Sequence, residues 1–377
     1  MSEPELHNNE TNFLFDLVSA KSVSGNEQPA AEVFTRFAGD LGFDSTIDEV
    51  GNAIAHRGES ADDAIHHIVL LGHIDTVPGD IPVRIEDGIL HGRGSVDAKG
   101  PIAAMLIAAS RAELPAGVRL TVAGAVGEEA AGSIGARHLI DQWRPDACII
   151  GEPSDWDGVT LGYKGRLLAT ATAVCPNTHS AGKDPSANDV LVSWWTSVLS
   201  LVAKFNAEQD RAFDQIQTSV ERMSSSCDGL SQRAIFNTGF RLPPSMNPDE
   251  FTTQLLSFVD ENINIDFEGA ESAYATDRND PVVRAISSAI RTHGGRPHPK
   301  LKTGTADLNV VGPVWRCPIA AYGPGDSSLD HTPNEHIQID EYERSIEVLT
   351  TAISTLVAEL SMTASRDDGH KTMASSG

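Results

Sequence analysis

The chain has 377 residues, of which 40% are hydrophobic, so it can bury a sizeable core and is long enough for more than one domain. Its 53 acidic residues exceed its 28 basic residues and give a net charge of −25, which disfavours binding to nucleic acid. No stretch approaches the run of about 18 uninterrupted apolar residues that a membrane span needs, and residues 1–10 lack the basic start and apolar core of a secretory signal. We therefore predict a cytoplasmic protein that binds neither nucleic acid nor a membrane.

The acidic excess is accompanied by few lysines, since the basic residues comprise 20 arginines and 8 lysines. Negative charge of this size repels itself in dilute buffer and is screened at high ionic strength, where the Debye length falls to about 3 Å at 1 M salt. We interpret the composition as halophilic, with an ordinary acidic cytosolic enzyme as the alternative. The charge describes the solvent and says little about a substrate.

The first half of the chain alternates apolar runs with helical stretches. Strands are predicted at 67–72, 120–126 and 147–151, and a helix rich in small residues is predicted at 101–112. This alternation is typical of a mainly parallel sheet covered by helices. Residues 1–163 are therefore predicted to form the first part of an α/β domain.

From residue 164 the pattern changes. The predicted elements are a strand at 167–174, a long helix at 189–208, strands near 231–242, a helix at 249–262 and a strand near 264–274. This order predicts an inserted βαββαβ domain of the ferredoxin-like type over 164–276.

The first pattern then returns over 277–360. Its predicted elements are a helix at 280–293, an irregular glycine-rich stretch, a strand at 317–322 and a helix from 340 to about 360. The α/β domain is therefore predicted to be discontinuous. Residues 361–377 are polar and poorly patterned, and we predict a disordered tail there.

Imidazole and carboxylate side chains occur where predicted strands end, which is where a hydrolytic metal site needs its ligands. His73 and Asp75 follow the first strand, and alternation along a strand directs their side chains to one face. Such a pair is by itself more often structural than metal-binding. Asp97 lies in a glycine-rich loop that leads into the small-residue helix, and a carboxylate there can bridge two cations.

Three further positions extend this set. Glu128 and Glu129 are adjacent after a second strand, which is costly in like-charge repulsion unless a proton or a metal intervenes. One of them would be a ligand and the other a general base. Glu152 ends a third strand, where a lone glutamate could instead cap a helix, and His331 lies in a loop after the strand at 317–322.

Five motifs in this order resemble the M20-type metallopeptidase and deacylase family, which includes aminoacylases, acetylornithine deacetylases, succinyl-diaminopimelate desuccinylases and carboxypeptidases. They are His-Ile-Asp-Thr-Val at 73–77, Gly-Arg-Gly-Ser-Val-Asp-Ala-Lys-Gly at 92–100, Gly-Glu-Glu at 127–129, Gly-Glu-Pro-Ser at 151–154 and His-Thr-Pro-Asn-Glu at 331–335. Several motifs in register are far more specific than any one of them. The resemblance covers 10–360 and implies a catalytic domain with an inserted lid or dimerisation domain.

The resemblance also implies the ligands of two divalent ions, zinc or cobalt. Asp97 would bridge the ions, with His73 and Glu152 on one and Glu129 and His331 on the other.

Three more features follow from the same resemblance. Glu128 would be the general base, and Asp75 would accept a hydrogen bond from the ring of His73. A cis peptide bond would join Asp97 to Ala98.

Further matches concern the substrate. His179 resembles the lid histidine that donates a hydrogen bond to the developing oxyanion, with a surface histidine as the alternative. Arg241 resembles the arginine that holds a substrate carboxylate, with a surface arginine at a strand end as the alternative. Lys302, Thr305 and Asp307 lie in a segment that resembles the substrate loop of the deacylase branch.

The segments 302–309 and 322–327 most resemble the branch that releases lysine or ornithine from an amino-group carrier protein in lysine and arginine biosynthesis. This implies the loaded carrier as a partner, and the family implies a homodimer. An N-acyl amino acid hydrolase shares every metal ligand and is the alternative. A metal-free binding protein of the same fold is a second alternative, against which the complete ligand set argues. The sequence leaves open the choice of amino acid and of metal.

Overall fold

The computed structural model describes residues 9–179 and 181–374, with side chains described up to 362. The described residues divide into two compact units. The first contains those of Met1–Gly162, Thr276–Lys300 and Ala306–Gly377, and the second contains those of Tyr163–Ala275 and Leu301–Thr305.

The helices are α1 (Asn9–Ser19), α2 (Gln28–Asp40), α3 (Lys99–Arg111), α4 (Ile134–Gln142), α5 (Ala187–Asn206), α6 (Pro248–Leu256), α7 (Pro281–Thr292), α8 (Asp307–Trp315) and α9 (Ile339–Ala374). The strands are β1 (Asp44–Ile47), β2 (Ala53–Gly58), β3 (His66–His73), β4 (Arg84–Glu86), β5 (Ile89–His91), β6 (Val118–Ala125), β7 (Ala147–Gly151), β8 (Gly158–Tyr163), β9 (Gly165–Pro176), β10 (Gln217–Cys227), β11 (Ser231–Leu242), β12 (Ile263–Glu271), β13 (Tyr274–Ala275), β14 (His298–Lys302), β15 (Ile319–Ala321) and β16 (His336–Gln338).

The first unit is built on a sheet with the strand order β1-β2-β6-β3-β7-β15-β8. Strands β6, β3, β7 and β15 are parallel, while β2 and β8 join this group in the antiparallel sense. All of β7 and the last six residues of β3 are buried, as expected for central strands covered by helices. The carboxyl ends of these parallel strands meet at one edge, which is where the predicted ligands lie.

Helix α3 packs against β3 because small residues allow a close approach. Every residue from Lys99 to Ala109 is buried. A Cβ atom on Gly72 would lie 3.2 Å from the side chain of Ile102, so glycine avoids a tight contact at this crossing. Each fully buried isoleucine, leucine or methionine side chain of the helix contributes about 1.5–3 kcal/mol. The helix thereby fixes the glycine-rich loop that precedes it against the sheet.

The second unit is a four-stranded antiparallel sheet with the order β10-β11-β9-β12 and with α5 and α6 as its helices. This is the predicted ferredoxin-like βαββαβ arrangement. Alternate residues of β9 are buried, including Leu167, Ala169 and Ala171, and they form the core with Trp194 of α5. This alternation places one face of the sheet against the two helices.

The segment Leu301–Thr305 belongs to the second unit, although the sequence assigned it to the first. The backbone N–H of Lys164 donates to the carbonyl of Lys302 at 3.2 Å. The Thr305 hydroxyl donates to the Lys164 carbonyl at 3.1 Å. These long-range bonds have no local sequence signal.

The structure differs from the element predictions in several places, one of which is that α6 ends at Leu256 rather than at residue 262. Helix α9 continues to Ala374, so the tail predicted at 361–377 is helical up to that residue, and 375–377 lie outside the described residues. No proline and only one glycine interrupt 361–374, so nothing in this segment stops a helix.

The stretch predicted as irregular contains β14 and α8. Strand β10 was missed because it is exposed along almost its whole length and has no apolar alternation.

Among the described residues, Ile339–Met362 within α9 is long and apolar enough to cross a membrane by length and composition. A buried core helix passes the same test. Tyr342, Ile346, Leu349 and Ile353 are fully buried, and α9 packs against α3 and α7. We interpret this segment as a core helix.

Candidate metal centre

The predicted ligands converge at the carboxyl edge of the parallel strands. His73 is the last residue of β3, Glu128 and Glu129 follow β6, and Glu152 follows β7. The register pairs His73 with Ala125 of β6, and the preceding residue of β3 pairs with the last residue of β7. These strand ends therefore lie side by side, and the side chains after them face a common space.

The Nε2 atom of His73 lies near three carboxylates. Its Nε2 atom lies 3.1 Å from Oδ1 of Asp97, 3.9 Å from Oε1 of Glu152 and 4.0 Å from Oε2 of Glu128. His73 is 1% exposed, so these contacts are shielded from water. The first predicted ligand set is thus assembled around one buried ring nitrogen.

The other oxygen of Asp97 contacts His331. The Nε2 atom of His331 lies 3.2 Å from Oδ2 of Asp97 and 3.0 Å from Oε1 of Glu129. The Asp97 carboxylate therefore lies between two imidazoles, as a bridging ligand requires. Ligand atoms of His73, Asp97 and Glu129 all lie within 4.8 Å of one another. Imidazole and carboxylate donors at this spacing suit a borderline divalent cation such as zinc.

The carboxylates change the protonation of both histidines. Burial opposes the charged form of His73, but hydrogen bonds with Asp75 and Asp97 outweigh it and raise the pKa of His73 well above its ordinary value. Hydrogen bonds with Asp97 and Glu129 raise the pKa of His331 to about 10. Without a metal, the acidic surroundings therefore favour the protonated form of both rings.

The pKa values of the two adjacent glutamates are raised as well, which favours their neutral form. Burial is the main cause that raises the pKa of Glu128 well above its ordinary value, and the negative charges of Glu152 and Asp307 add to it. Burial also raises the pKa of Glu129. Such a concentration of buried carboxylates needs positive charge, either as protons or as metal, which fits a cation site.

Asp75 fixes the positions of its neighbours. Its Oδ1 accepts the backbone N–H of Glu128 at 3.1 Å, and its Oδ2 accepts the backbone N–H of Glu129 at 3.0 Å. The Nδ1 atom of His73 lies 3.1 Å from the Asp75 carbonyl oxygen and 3.4 Å from the Asp75 carboxylate, whose role as the acceptor of the ring stays a prediction. The ring is thereby oriented with Nε2 towards the cluster. The peptide bond after Asp97 is cis, as the resemblance implied.

The predicted substrate residues fall in both units. Asp307 is buried in the first turn of α8, in the same unit as the cluster. In the second unit, Nη1 of Arg241 donates to the Thr305 hydroxyl at 2.8 Å, and Nζ of Lys302 lies 5.9 Å from the ring centre of Tyr163. The structure brings Arg241 and Thr305 together.

His179 lies in an exposed loop of the second unit, where its Nδ1 atom accepts the backbone N–H of Ala181 at 3.1 Å. Its role stays a prediction.

Two residues near the cluster were missed by sequence reasoning. The Ser24 hydroxyl donates to Oδ2 of Asp75 at 2.7 Å, and no local motif marks it. Glu335 accepts the backbone N–H of Asp97 at 3.1 Å. Its position in the motif after His331 was a signal that could have found it.

The sequence between residues 69 and 355 matches the model of peptidase family M20/M25/M40. The chain belongs to this family. It is 44% identical to a LysW-lysine hydrolase of Deinococcus radiodurans over 90% of this chain and 95% of that protein. It is 42% identical to a putative LysW-lysine/LysW-ornithine hydrolase of Thermococcus kodakarensis over 91% of each chain.

Solved structures of M20 proteins share the fold. An M20 family metallo-carboxypeptidase from Sulfolobus solfataricus is 17% identical, has a TM-score of 0.78, and is matched over 93% of this chain and 100% of that one. A dinuclear metal-binding peptidase of the M20 family from Bacillus subtilis is 14% identical, has a TM-score of 0.65, and is matched over 93% and 98%. These similarities confirm the predicted α/β fold with a mainly parallel central sheet.

Proposed function

We propose that this chain is a metal-dependent amide hydrolase that releases lysine or ornithine from an amino-group carrier protein. The observation that carries the proposal is the convergence of His73, Asp97, Glu129 and His331 in a chain 44% identical to a LysW-lysine hydrolase. The scissile amide would join a carboxyl group of the carrier to an amino group of the amino acid.

Two divalent ions, zinc or cobalt, are proposed as the cofactors. The residues that would hold them are His73, Asp97, Glu129, Glu152 and His331. Bound there, the ions would polarise the scissile carbonyl and favour ionisation of the attacking water. The contacts of Asp97 with both imidazoles support its assignment as the shared ligand.

Glu128 is proposed as the general base. Its raised pKa suits a group that accepts and then returns a proton near neutral pH. It would take a proton from water while the water oxygen attacks the carbonyl carbon. Glu128 would return this proton to the amide nitrogen as the C–N bond breaks, and the hydroxyl proton of the new carboxyl group would pass to the released amine. The products would be a carboxylate on the carrier and the free amino acid.

The residues that the sequence predicted for the substrate are proposed to hold it. Arg241 would bind the free carboxylate of the amino acid, because a guanidinium group matches a carboxylate with two parallel hydrogen bonds. Its bond to Thr305 supports this by limiting the orientations of the side chain. Lys302 would also contact the substrate. Asp307 would attract the cationic end of lysine or ornithine, and His179 would donate to the developing oxyanion.

A homodimer formed through the second unit is also proposed. The exposed face of α5 includes Val192, Thr196, Leu199 and Ala203, all of them uncharged. Strand β10 lies at an edge of its sheet. Two copies of a chain with a net charge of −25 repel each other most where carboxylates face each other, so an uncharged face favours self-association. Leu199→Glu should shift the protein from dimer to monomer in light scattering.

The test of function compares four substrates in molar KCl with metal-loaded enzyme. They are carrier-lysine, carrier-ornithine, N-acetylornithine and N-succinyl-diaminopimelate, and the measurement is kcat/KM for amino acid release. Faster turnover of the carrier-bound amino acids supports the proposal, and chelator should abolish it. Equal or faster turnover of either small substrate would favour the N-acyl amino acid hydrolase instead. Full activity in chelator would contradict metal dependence.

A further inference from the structure

Glu335 is a buried carboxylate outside the proposed ligand set. It follows His331 by four residues in the loop before β16, and its side chain is 1% exposed. Its Oε1 atom accepts hydrogen bonds from the backbone N–H groups of Val96 at 3.0 Å and Asp97 at 3.1 Å. Glu335 therefore holds the backbone of the residue whose carboxylate lies between the two imidazoles.

The second oxygen of Glu335 binds Arg93. Nη1 of Arg93 donates to Oε2 at 2.7 Å, and Nε of Arg93 donates to the carbonyl of Gly79 at 3.1 Å. The Glu335 carbonyl accepts the backbone N–H of Gly92 at 3.3 Å. The loop 92–97 is thus attached to the loop of His331 at both of its ends, so neither loop can shift alone.

This attachment holds two proposed ligands from separate loops close together. The carboxylate of Asp97 and the ring of His331 come from these separate loops, yet their Oδ2 and Nε2 atoms lie 3.2 Å apart. Metal sites require their ligands to be held within roughly 0.5 Å of the productive geometry. A residue that joins the two loops therefore controls whether Asp97 and His331 can share one cation.

We propose that Glu335 is a positioning residue that sets the affinity of the metal site by fixing Asp97 relative to His331. The proposal rests on the proposed function, because it presumes that these side chains bind metal. Residues that orient ligands from outside the coordination sphere typically change metal affinity or activity by about 10- to 100-fold when altered. A contact that only stabilises the fold would leave the affinity unchanged.

The experiment compares two substitutions of equal size. Glu335→Met removes the acceptor of both N–H groups and the partner of Arg93. Glu335→Gln keeps an acceptor oxygen for the N–H groups but removes the negative charge. Asp146→Asn is the control, because Asp146 accepts the backbone N–H of His67 at 2.8 Å, at the start of β3 and away from the ligands.

The readout is the dissociation constant of Co²⁺ and of Zn²⁺, titrated calorimetrically into metal-free protein in molar KCl, with the visible spectrum of bound Co²⁺ as a second signal. Melting temperatures of the metal-free variants are measured beside it. We expect Glu335→Met to weaken one of the two binding events about 10- to 100-fold and to alter the Co²⁺ spectrum. Glu335→Gln should recover most of the affinity, and the control should bind metal as the unaltered protein does.

Each of the remaining outcomes would overturn either this inference or the proposed function. If Glu335→Met lowers only the melting temperature, as the control does, Glu335 is structural and the inference is wrong. If both substitutions weaken binding equally, lost charge rather than position is the cause, which also overturns it. If Glu335→Met does not fold, Glu335→Asp, which withdraws the carboxylate by one carbon, is measured instead, and an unchanged dissociation constant contradicts positioning. If the unaltered protein binds no metal, the proposed function itself fails.

Discussion

Asp75 joins two of the strand ends from which the site is built. Its carboxylate accepts the backbone N–H groups of Glu128 and Glu129 and lies against the ring of His73. Burial opposes its charged form, but the hydrogen bond with His73 outweighs this and lowers the pKa of Asp75. One ionised side chain thereby orients a proposed ligand and the proposed base at the same time.

Substitutions at the two adjacent glutamates distinguish a metal ligand from a general base. Glu128→Gln should leave metal content unchanged and lower kcat by about 10²- to 10⁴-fold, the usual contribution of a positioned general base. Glu129→Gln is the matched variant and should lose metal, because Glu129 contacts His331. Metal analysis and steady-state kinetics check both. Loss of metal from Glu128→Gln would instead identify Glu128 as a ligand.

At the scale of elements, two glycines in helices should respond in opposite ways to replacement by alanine. A Cβ atom on Gly135 of α4 would lie 2.5 Å from the backbone nitrogen of Val126, whereas one on Gly39 of α2 would meet its nearest atom at 3.7 Å. Gly135→Ala should therefore lower the free energy of unfolding by about 1–3 kcal/mol. Gly39→Ala should raise it by up to about 1 kcal/mol, since alanine is the better helix former. Urea unfolding in molar KCl measures both, and equal effects would contradict this packing.

The elements that sequence reasoning missed share a physical cause. Strand β10 is exposed and polar, so it has no hydrophobic period, and its pairing with β11 provides its structure. Helix α8 contains Pro313, which argues against a helix, yet all but two of its nine residues are buried. Strand pairing for β10 and burial for α8 outweighed the local signal.

At the scale of the molecule, a histidine pair makes stability depend on pH. Nδ1 of His56 and Nε2 of His67 each lie 2.8 Å from the Thr121 hydroxyl. Burial, together with the charge of Arg119, lowers the pKa of both histidines to about 4. The unfolded chain, with ordinary pKa values of about 6.5, takes up protons first as the pH falls. Their contribution is therefore complete above pH 6.5 and is lost as the pH falls towards 4.

Unfolding free energies measured in urea between pH 8 and pH 5 test this dependence. The double variant His56→Gln/His67→Gln should show a shallower loss than the unaltered protein. Identical slopes would show that other groups cause the pH dependence.

The net charge of −25 predicts a dependence on salt. Self-repulsion should lower the melting temperature in dilute buffer, and molar KCl should restore it, because the Debye length shrinks to about 3 Å. Calorimetry at a series of KCl concentrations measures the effect. An unchanged melting curve at low salt would remove the halophilic interpretation.

The sequence by itself determined the types of ligand and their places at strand ends, because a short apolar strand followed by His73, Glu129 or Glu152 is a local pattern. It also determined the order of the βαββαβ insertion, although β10 itself has no hydrophobic period. Only the tertiary structure decided which groups touch. Ser24 reaches Asp75 across 51 residues and Glu335 reaches Asp97 across 238. Such hydrogen bonds form because buried polar groups must be paired, and the folded chain alone determines which partner is near.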